Sequence, residues 1–156
     1  MTQVAGITGN ADIDLSKRGL VAMCADNGVV EEGVTQTGQE VTAIVAENFL
    51  RYDTSVGVMC KQNHAEIFPV DMGMVTDTKV RTDHKVAYGT QNMTKGPAMT
   101  REQAIKGIEA GIAMVEELKN KGYKILATGE MGIGNTTTSS AVASVLLEQP
   151  VEEMTG

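Results

Sequence analysis

The sequence predicts an α/β fold: a parallel sheet of three or more strands with helices against its faces. Short apolar runs alternate with longer segments of helical periodicity. The clearest junction, residues 123–147, passes from an apolar run through a glycine-rich turn into a helix of small residues. Such alternation implies βαβ units, parallel pairing and right-handed crossovers. At 156 residues the chain is one domain's worth of sequence, able to bury roughly two thirds of its unfolded surface.

Residues 20–25 form a continuous apolar run that ends at Asp26-Asn27-Gly28, as expected of a strand covered on both faces and closed by a turn. Residues 39–51 read as a helix with Val41, Ile44, Val45, Asn48 and Phe49 on one face. Thr54 can start a second helix, with Val56, Met59 and Cys60 inward. Residues 66–71 form a second strand, in which Pro69 removes a ladder donor and indicates an edge position or a bulge.

The plainest element is a helix over residues 100–121. Thr100 and Gln103 fit a capping box, and Ile105, Ile108, Ile112 and Val115 recur at spacings of three and four. Glu102 with Lys106 and Glu117 with Lys121 are i,i+4 pairs in the favourable order, and Gly122 closes the helix. Residues 123–128 are a third strand. Residues 136–147 are a helix with Ala141, Val142, Val145 and Leu146 inward. Together these elements make a Rossmann-like sheet. In such sheets ligands bind beyond the carboxyl ends of the strands, and here those ends carry Asp26, Asp71 and Glu130.

Charge narrows the function classes. A net charge of −7 repels nucleic acid and anionic membranes, so a bound phosphate must be held locally by backbone dipoles or a few cations. No apolar run reaches the roughly 18 residues of a membrane span, and the start lacks the basic-then-apolar order of a signal peptide. A cytoplasmic protein is expected. Cys24 and Cys60 have no partners at metal or redox spacing and read as reduced core thiols. His64 and His84 are isolated and read as surface residues. No metal and no cofactor are expected.

The turn itself, Thr128-Gly129-Glu130-Met131-Gly132-Ile133-Gly134-Asn135-Thr136-Thr137, is the strongest functional signal. A glycine-rich turn at a helix start aims main-chain N–H groups at an anion. It is no P-loop, since no Gly-Lys-Ser/Thr closes it, and Asn135-Thr136 stand where a dinucleotide motif has its third glycine. A tight strand-to-helix connection is the plain alternative. Thr136, Thr137 and Thr138 add hydroxyls, and a monophosphate suits so modest a site better than a triphosphate, which needs Mg²⁺ and a Lys. Glu130 is a poor turn former, so its carboxylate is the most notable of the three strand-end acids.

That run resembles the signature of the nicotinate-nucleotide:dimethylbenzimidazole phosphoribosyltransferases, enzymes that build the lower ligand of cobalamin. The likeness extends to Ala25-Asp26-Asn27-Gly28-Val29 with Glu32-Gly33-Val34, to Gln39-Glu40-Val41-Thr42-Ala43 and to Val70-Asp71-Met72-Gly73. It continues through Gly89-Thr90-Gln91-Asn92 and Gly96-Pro97-Ala98-Met99-Thr100. The resemblance implies transfer of phosphoribose from nicotinate mononucleotide to 5,6-dimethylbenzimidazole, giving α-ribazole 5′-phosphate and nicotinate. It assigns phosphate binding to Gly132, Ile133, Gly134, Asn135 and Thr136. Glu130 faces the ribose or its developing positive charge, and Asp26, Asn27, Gly28, Thr35, Thr42 and Met131 form the acceptor pocket. Family members often carry His where this chain has Asn27.

The resemblance also implies sequence beyond both ends of this chain, including a further glycine-rich turn and the glutamate usually assigned as catalytic base. On that ground the chain is expected to be a single α/β nucleotide-binding core over residues 1–156, a fragment of a longer family domain, inactive alone. An unfinished sheet edge favours pairing with another chain, so a homodimer is expected. A non-catalytic mononucleotide-binding module, or a phosphoribosyltransferase with a different acceptor base, remain the alternatives. Residues 76–99, the most basic stretch with Lys79, Arg81, His84, Lys85 and Lys95, either approach the substrate or merely solvate a connection.

Overall fold

The computed structural model describes residues 1–155. A short helix α1 (Thr2–Thr8) leads to the first strand β1 (Arg18–Ala25), which is followed by a 3-10 turn at Gly28–Glu32. Helices α2 (Glu40–Phe49) and α3 (Ser55–Gln62) precede β2 (Ala65–Gly73). The long helix α4 (Arg101–Asn120) connects to β3 (Ile125–Met131), and α5 (Asn135–Leu147) and α6 (Val151–Met154) end the chain. The sheet has three strands in the order β2-β1-β3, both pairings parallel.

β1 lies in the middle, which explains its unbroken apolar run. Side chains alternate across a strand: Ala22 and Cys24 enter one core with Ala43, Ala46 and Phe49 of α2, while Val21 enters the other with Met114 and Leu118 of α4. On that second face Phe68 and Tyr123 meet edge to face, ring centroids 5.2 Å apart. Both cysteines are free and buried. Burial pushes the Cys24 thiol up to about 12, with the nearby Asp71 and Glu130 charges adding to the shift.

Pro69 lies on an edge strand, as the sequence indicates. Asp71, two residues on, donates its N–H outward to Arg81 O at 2.8 Å, and strand alternation places the Pro69 nitrogen on that same outer side. The outer edge is partly covered by the following segment, through Val86 N to Met72 O at 2.8 Å and Gly89 N to Gly73 O at 2.9 Å. α3 starts on the expected cap, Thr54 Oγ1 accepting from Gly57 N. α4 carries the full Thr100–Gln103 capping box, and Gly122 follows it with φ 86°.

The faces of the helices differ from expectation. α4 buries Ala110, Met114 and Leu118, whereas Ile105, Ile108, Ile112 and Val115 are exposed. Both sets obey helical spacing, so periodicity finds two apolar stripes, and the crossover from β2 to β3 determines which one meets the sheet. In α5 no residue is buried, and Val142, Val145 and Leu146, expected inward, face solvent. α2 turns Thr42, Ala43, Ala46 and Phe49 inward and leaves Ile44 exposed; Met59 of α3 is exposed as well. Of the two i,i+4 pairs, Glu117–Lys121 forms at 2.5 Å, while Lys106 donates instead to Lys85 O at 3.0 Å. β3 runs on to Met131 rather than stopping at Thr128, because β1 offers partners as far as Cys24.

The stripe assignment has a direct thermodynamic consequence. Leu118→Ala is expected to cost about 2–5 kcal/mol in urea unfolding, and Ile108→Ala no more than about 0.5 kcal/mol. A larger cost for Ile108→Ala than for Leu118→Ala would mean that the isoleucine stripe is the buried one.

Candidate functional site

The carboxyl ends of the strands meet at one rim of the sheet, and two acids there face inward. Asp26 and Asp71 are both 0% exposed. Asp26 Oδ2 accepts from Val75 N at 2.8 Å, and Asp71 Oδ1 accepts from Met74 N at 2.8 Å. Lys85 Nζ lies 3.0 Å from Asp71 Oδ2, an ion contact outside the directional range of a hydrogen bond. Asp26 Oδ1 has no partner. These two carboxylates therefore fasten the loop after β2.

Glu130, by contrast, points out of the sheet rim. Asn135 Nδ2 donates to its Oε2, and its Oε1 lies so near Gly132 that a Cβ there would sit 2.9 Å from it. Desolvation holds its pKa above the ordinary carboxylate value, partly opposed by the Asn135 hydrogen bond. The side chain is exposed at the level of the whole residue, so the desolvation is local to the carboxylate end.

Both glycines of the turn are fixed by their surroundings. A Cβ on Gly132 would lie 2.3 Å from Ala25 O, and Gly134 has φ 85° with Val30 Cγ2 at 3.0 Å from where its Cβ would be. Ile133 N donates to Thr42 Oγ1 at 3.1 Å, and Asn135 N to Gly132 O at 3.0 Å. Two of the expected phosphate-facing amides are thus already bonded within the protein. Gly134 occupies the N-cap of α5 without a side-chain cap, so the first-turn amides of Thr136 and Thr137 are the ones left for an anion.

The residues expected around the acceptor are divided by the structure. Asn27 bridges: its Nδ2 donates to Ile133 O at 3.1 Å, its Oδ1 accepts from Thr138 Oγ1 at 3.2 Å, and its carbonyl accepts from Gln39 Nε2 at 3.1 Å. Gly28 N donates to Thr90 Oγ1 at 3.0 Å, and any side chain at Gly28 would strike the backbone of residues 90–92, as close as 2.5 Å. Thr42 is buried and Met131 packs against the core. Thr35 stands apart, its hydroxyl donating to Thr37 O at 2.8 Å. Asp26, Thr42 and Met131 therefore support the rim from within.

Two cavities open at this rim. An apolar one of about 280 Å³ lies between the ends of β1 and β2, residues 86–91 and the start of α4, lined by Ala25, Met72, Tyr88, Thr90, Met99 and Gln103 among others. A wider groove of about 680 Å³ lies over α5, lined by Asn27, Thr138, Val142 and Leu146, and it shares Thr90 and Met99 with the first. Tyr88 went unnoticed in the sequence because residues 76–99 show no period, and Gln91 stood out only within the block Gly89-Thr90-Gln91-Asn92. The pairing of that stretch to the β2 edge is what brings both to the cavity.

Arg81, Lys85 and Lys95 of residues 76–99 are engaged with the protein's own acids. Arg81 pairs with Asp83 at 2.5 Å and Glu117 at 2.7 Å, Lys85 with Asp71, and Lys95 with Glu31 at 2.7 Å. Lys79 donates its backbone N–H to Glu47 Oε1 at 3.1 Å. His64 is exposed, and His84 lies 3.9 Å from Asp83. Among the described residues no cluster of three or more His, Cys, Asp or Glu is arranged to hold a metal ion. No helix among them is long and apolar enough to cross a membrane.

Comparison with known proteins adds three findings. A family model described as "Phosphoribosyltransferase" matches residues 1–156. The chain is 51% identical over 156 residues to the nicotinate-nucleotide–dimethylbenzimidazole phosphoribosyltransferase of Ruminiclostridium cellulolyticum, covering 99% of this chain and 44% of that protein. It is 47% identical to the protein of that name from Clostridium tetani, with 99% and 43% covered. Among solved structures, that of CobT from Thermus thermophilus superposes with a TM-score of 0.91 at 35% identity, covering 99% of this chain and 47% of that one. The chain thus spans less than half the length of these relatives.

The bond from Ile133 N to Thr42 Oγ1 is the tie between the turn and α2. Thr42→Val removes the acceptor and should lower stability by about 1–3 kcal/mol, with faster hydrogen exchange at the Ile133 amide. Thr42→Ser should restore most of both. A Thr42→Val protein as stable as the parent would show that the turn does not depend on this tie.

Proposed function

The chain belongs to the family of the nicotinate-nucleotide–dimethylbenzimidazole phosphoribosyltransferases, and from that membership we propose that it carries the mononucleotide half of the transfer site. The substrates on this reading are nicotinate mononucleotide and an aromatic base of the benzimidazole class. The observation that carries it is the junction of β3 and α5, where an ionisable carboxylate, Glu130 near the end of the strand, stands five residues before the uncapped start of the helix.

The chemistry is modest in its demands. Nicotinate leaves from a pyridinium, whose nitrogen takes the bonding pair and needs no general acid. The sugar passes through an oxocarbenium-like state, which a fixed negative charge stabilises. The first-turn amides of Thr136 and Thr137, with their hydroxyls, suit the 5′-phosphate. Glu130, steadied by Asn135, suits the ribose side. Gly132, Ile133, Gly134 and Asn135 shape the turn, with Ile133 and Asn135 using their amides internally.

For the acceptor we infer the slot framed by Asp26, Asn27, Gly28, Thr35, Thr42 and Met131, with the apolar cavity bounded by Met72, Tyr88 and Met99 beside it. Thioethers and an aromatic ring pack well on a flat heterocycle. Asn27 and Gly28 join that cavity to the turn through Thr90 and Thr138. Transfer requires the benzimidazole N–H proton to leave as the other ring nitrogen attacks C1′. No carboxylate, histidine or lysine side chain lines this cavity.

We further infer a homodimer, supported by β3 having β1 as its single sheet neighbour among the described residues and by the exposed apolar face of α5. A cytoplasmic setting follows from a phosphorylated substrate, whose charge keeps it from crossing a lipid bilayer. A second reading, a sensor that binds mononucleotide without chemistry, uses the same turn.

Calorimetry and a product assay separate these readings. This polypeptide should bind nicotinate mononucleotide more tightly than inorganic phosphate. It should form α-ribazole 5′-phosphate at less than about one-hundredth the rate of a full-length relative, the factor a missing general base costs at minimum. Turnover equal to the relative's would contradict the half-site reading, and absence of mononucleotide binding would contradict the anchor. Placed in a full-length relative, the change equivalent to Glu130→Gln should lower kcat more than it raises KM. An unchanged kcat would remove Glu130 from the chemistry.

A further inference from the structure

Asn27 begins the 3-10 turn after β1, a place where an asparagine side chain ordinarily caps its own helix. Here it makes no cap bond. The side chain crosses instead to the turn after β3, 106 positions on, where Nδ2 donates to Ile133 O at 3.1 Å and Oδ1 accepts from Thr138 Oγ1 at 3.2 Å. A carbonyl can only accept, so the amide nitrogen belongs on Ile133 and the oxygen on Thr138. The backbone of Asn27 is held as well, its carbonyl taking Val30 N at 3.1 Å and Gln39 Nε2 at 3.1 Å. Both turn glycines lie against it: a Cβ on Gly132 would be 3.0 Å from Asn27 Nδ2, and one on Gly134 3.6 Å from Asn27 Cβ.

The bond to Ile133 O has an electrostatic consequence. A main-chain carbonyl aimed at an anion repels it, whereas a main-chain N–H attracts it. The 133–134 peptide is trans, like every other among the described residues, so its C=O and N–H point opposite ways. With the oxygen drawn to Asn27, the Gly134 N–H is turned away from the end of β1, and it has no acceptor among the described residues. Ile133 and Asn135, on either side, give their own N–H groups to Thr42 and Gly132. We propose that Asn27 is the positioning residue of the mononucleotide turn: its carboxamide draws the Ile133 carbonyl away from the phosphate and so presents the Gly134 N–H to it, beside the first-turn amides of α5. The proposal rests on the phosphate reading of the turn given above. The effect passes through the peptide group and needs no contact between the Asn27 side chain and the phosphate.

Asn27→Leu keeps the branched shape and removes both amide bonds without adding charge, and Asn27→Ala removes them with a smaller side chain. Asn27→His at about pH 8, where a neutral imidazole keeps one donor and one acceptor, is the rescue. Two readouts are taken on the whole chain. Residual dipolar couplings give the orientation of the Gly134 N–H in the free protein, and calorimetry gives the affinity for nicotinate mononucleotide while amide NMR follows Gly134, Thr136 and Thr137. Asn27→Leu and Asn27→Ala should reorient the Gly134 N–H and bind the mononucleotide about threefold to thirtyfold more weakly. They should lose the Gly134 response while Thr136 and Thr137 still shift, whereas a side chain that merely stabilises the fold would lower all three together. Asn27→His should stay within about threefold of the parent. Parent-like affinity in both the Leu and Ala variants, or a Gly134 N–H that keeps its parental orientation in them, would overturn the proposal. If the parent binds no mononucleotide while the Gly134 N–H reorients as stated, the phosphate reading falls and the hold of Asn27 on the peptide stands.

Discussion

The rim of the sheet depends on two buried carboxylates. Asp26 and Asp71 stand at the ends of adjacent strands, wholly out of solvent, and each takes a backbone N–H from the two-residue step Met74–Val75. A hydrogen bond to a charged group contributes about 1.5–3 kcal/mol, while a buried charge without partners costs several kcal/mol. The chain after β2 therefore has a strong reason to turn back along its own strand edge. Once it does, Asp71 N reaches Arg81 O, Val86 N reaches Met72 O, and Thr90 N reaches Asp26 O at 3.0 Å. A stretch without helical or strand periodicity becomes one wall of a cavity.

The opposite side of the rim is built by a different device. Gly132 and Gly134 let the chain leave β3 where no side chain fits, and Thr42 and Asn27 then bind the turn to α2 and to the end of β1. The result places an acid and an uncapped helix start on one side, and an apolar, aromatic-walled cavity on the other. Thr90 joins them, its hydroxyl accepting from Gly28 N. The relatives, more than twice as long, share this portion nearly end to end.

What the sequence makes legible is whatever is local. The strand at β1, the capping box at Thr100, the helix stop at Gly122 and the edge character of Pro69 all follow from a few neighbouring residues, and all stand in the structure. The orientation of helices is not local. On α4 the stripe through Ile105 and Ile108 looks more hydrophobic than the one through Ala110, Met114 and Leu118, yet the crossover geometry buries the second. The same holds for the site. Glu130 and the glycine turn are visible as a motif, but that Ile133 gives its amide to Thr42, a residue 91 positions away, is a tertiary fact. Tyr88 reaches the cavity because residues 81–89 bond to the outer edge of β2, a pairing that no spacing rule predicts.

The central claim is that the start of α5 anchors the phosphate of a mononucleotide, with the rest of the turn as its frame. Backbone amide NMR during titration with nicotinate mononucleotide tests this residue by residue. The largest shifts should fall on Thr136 and Thr137, whose amides have no helical acceptor, with smaller changes at Ile133 and Asn135, whose N–H groups are already bonded. Largest shifts in residues 81–86, with the α5 start unmoved, would contradict the claim.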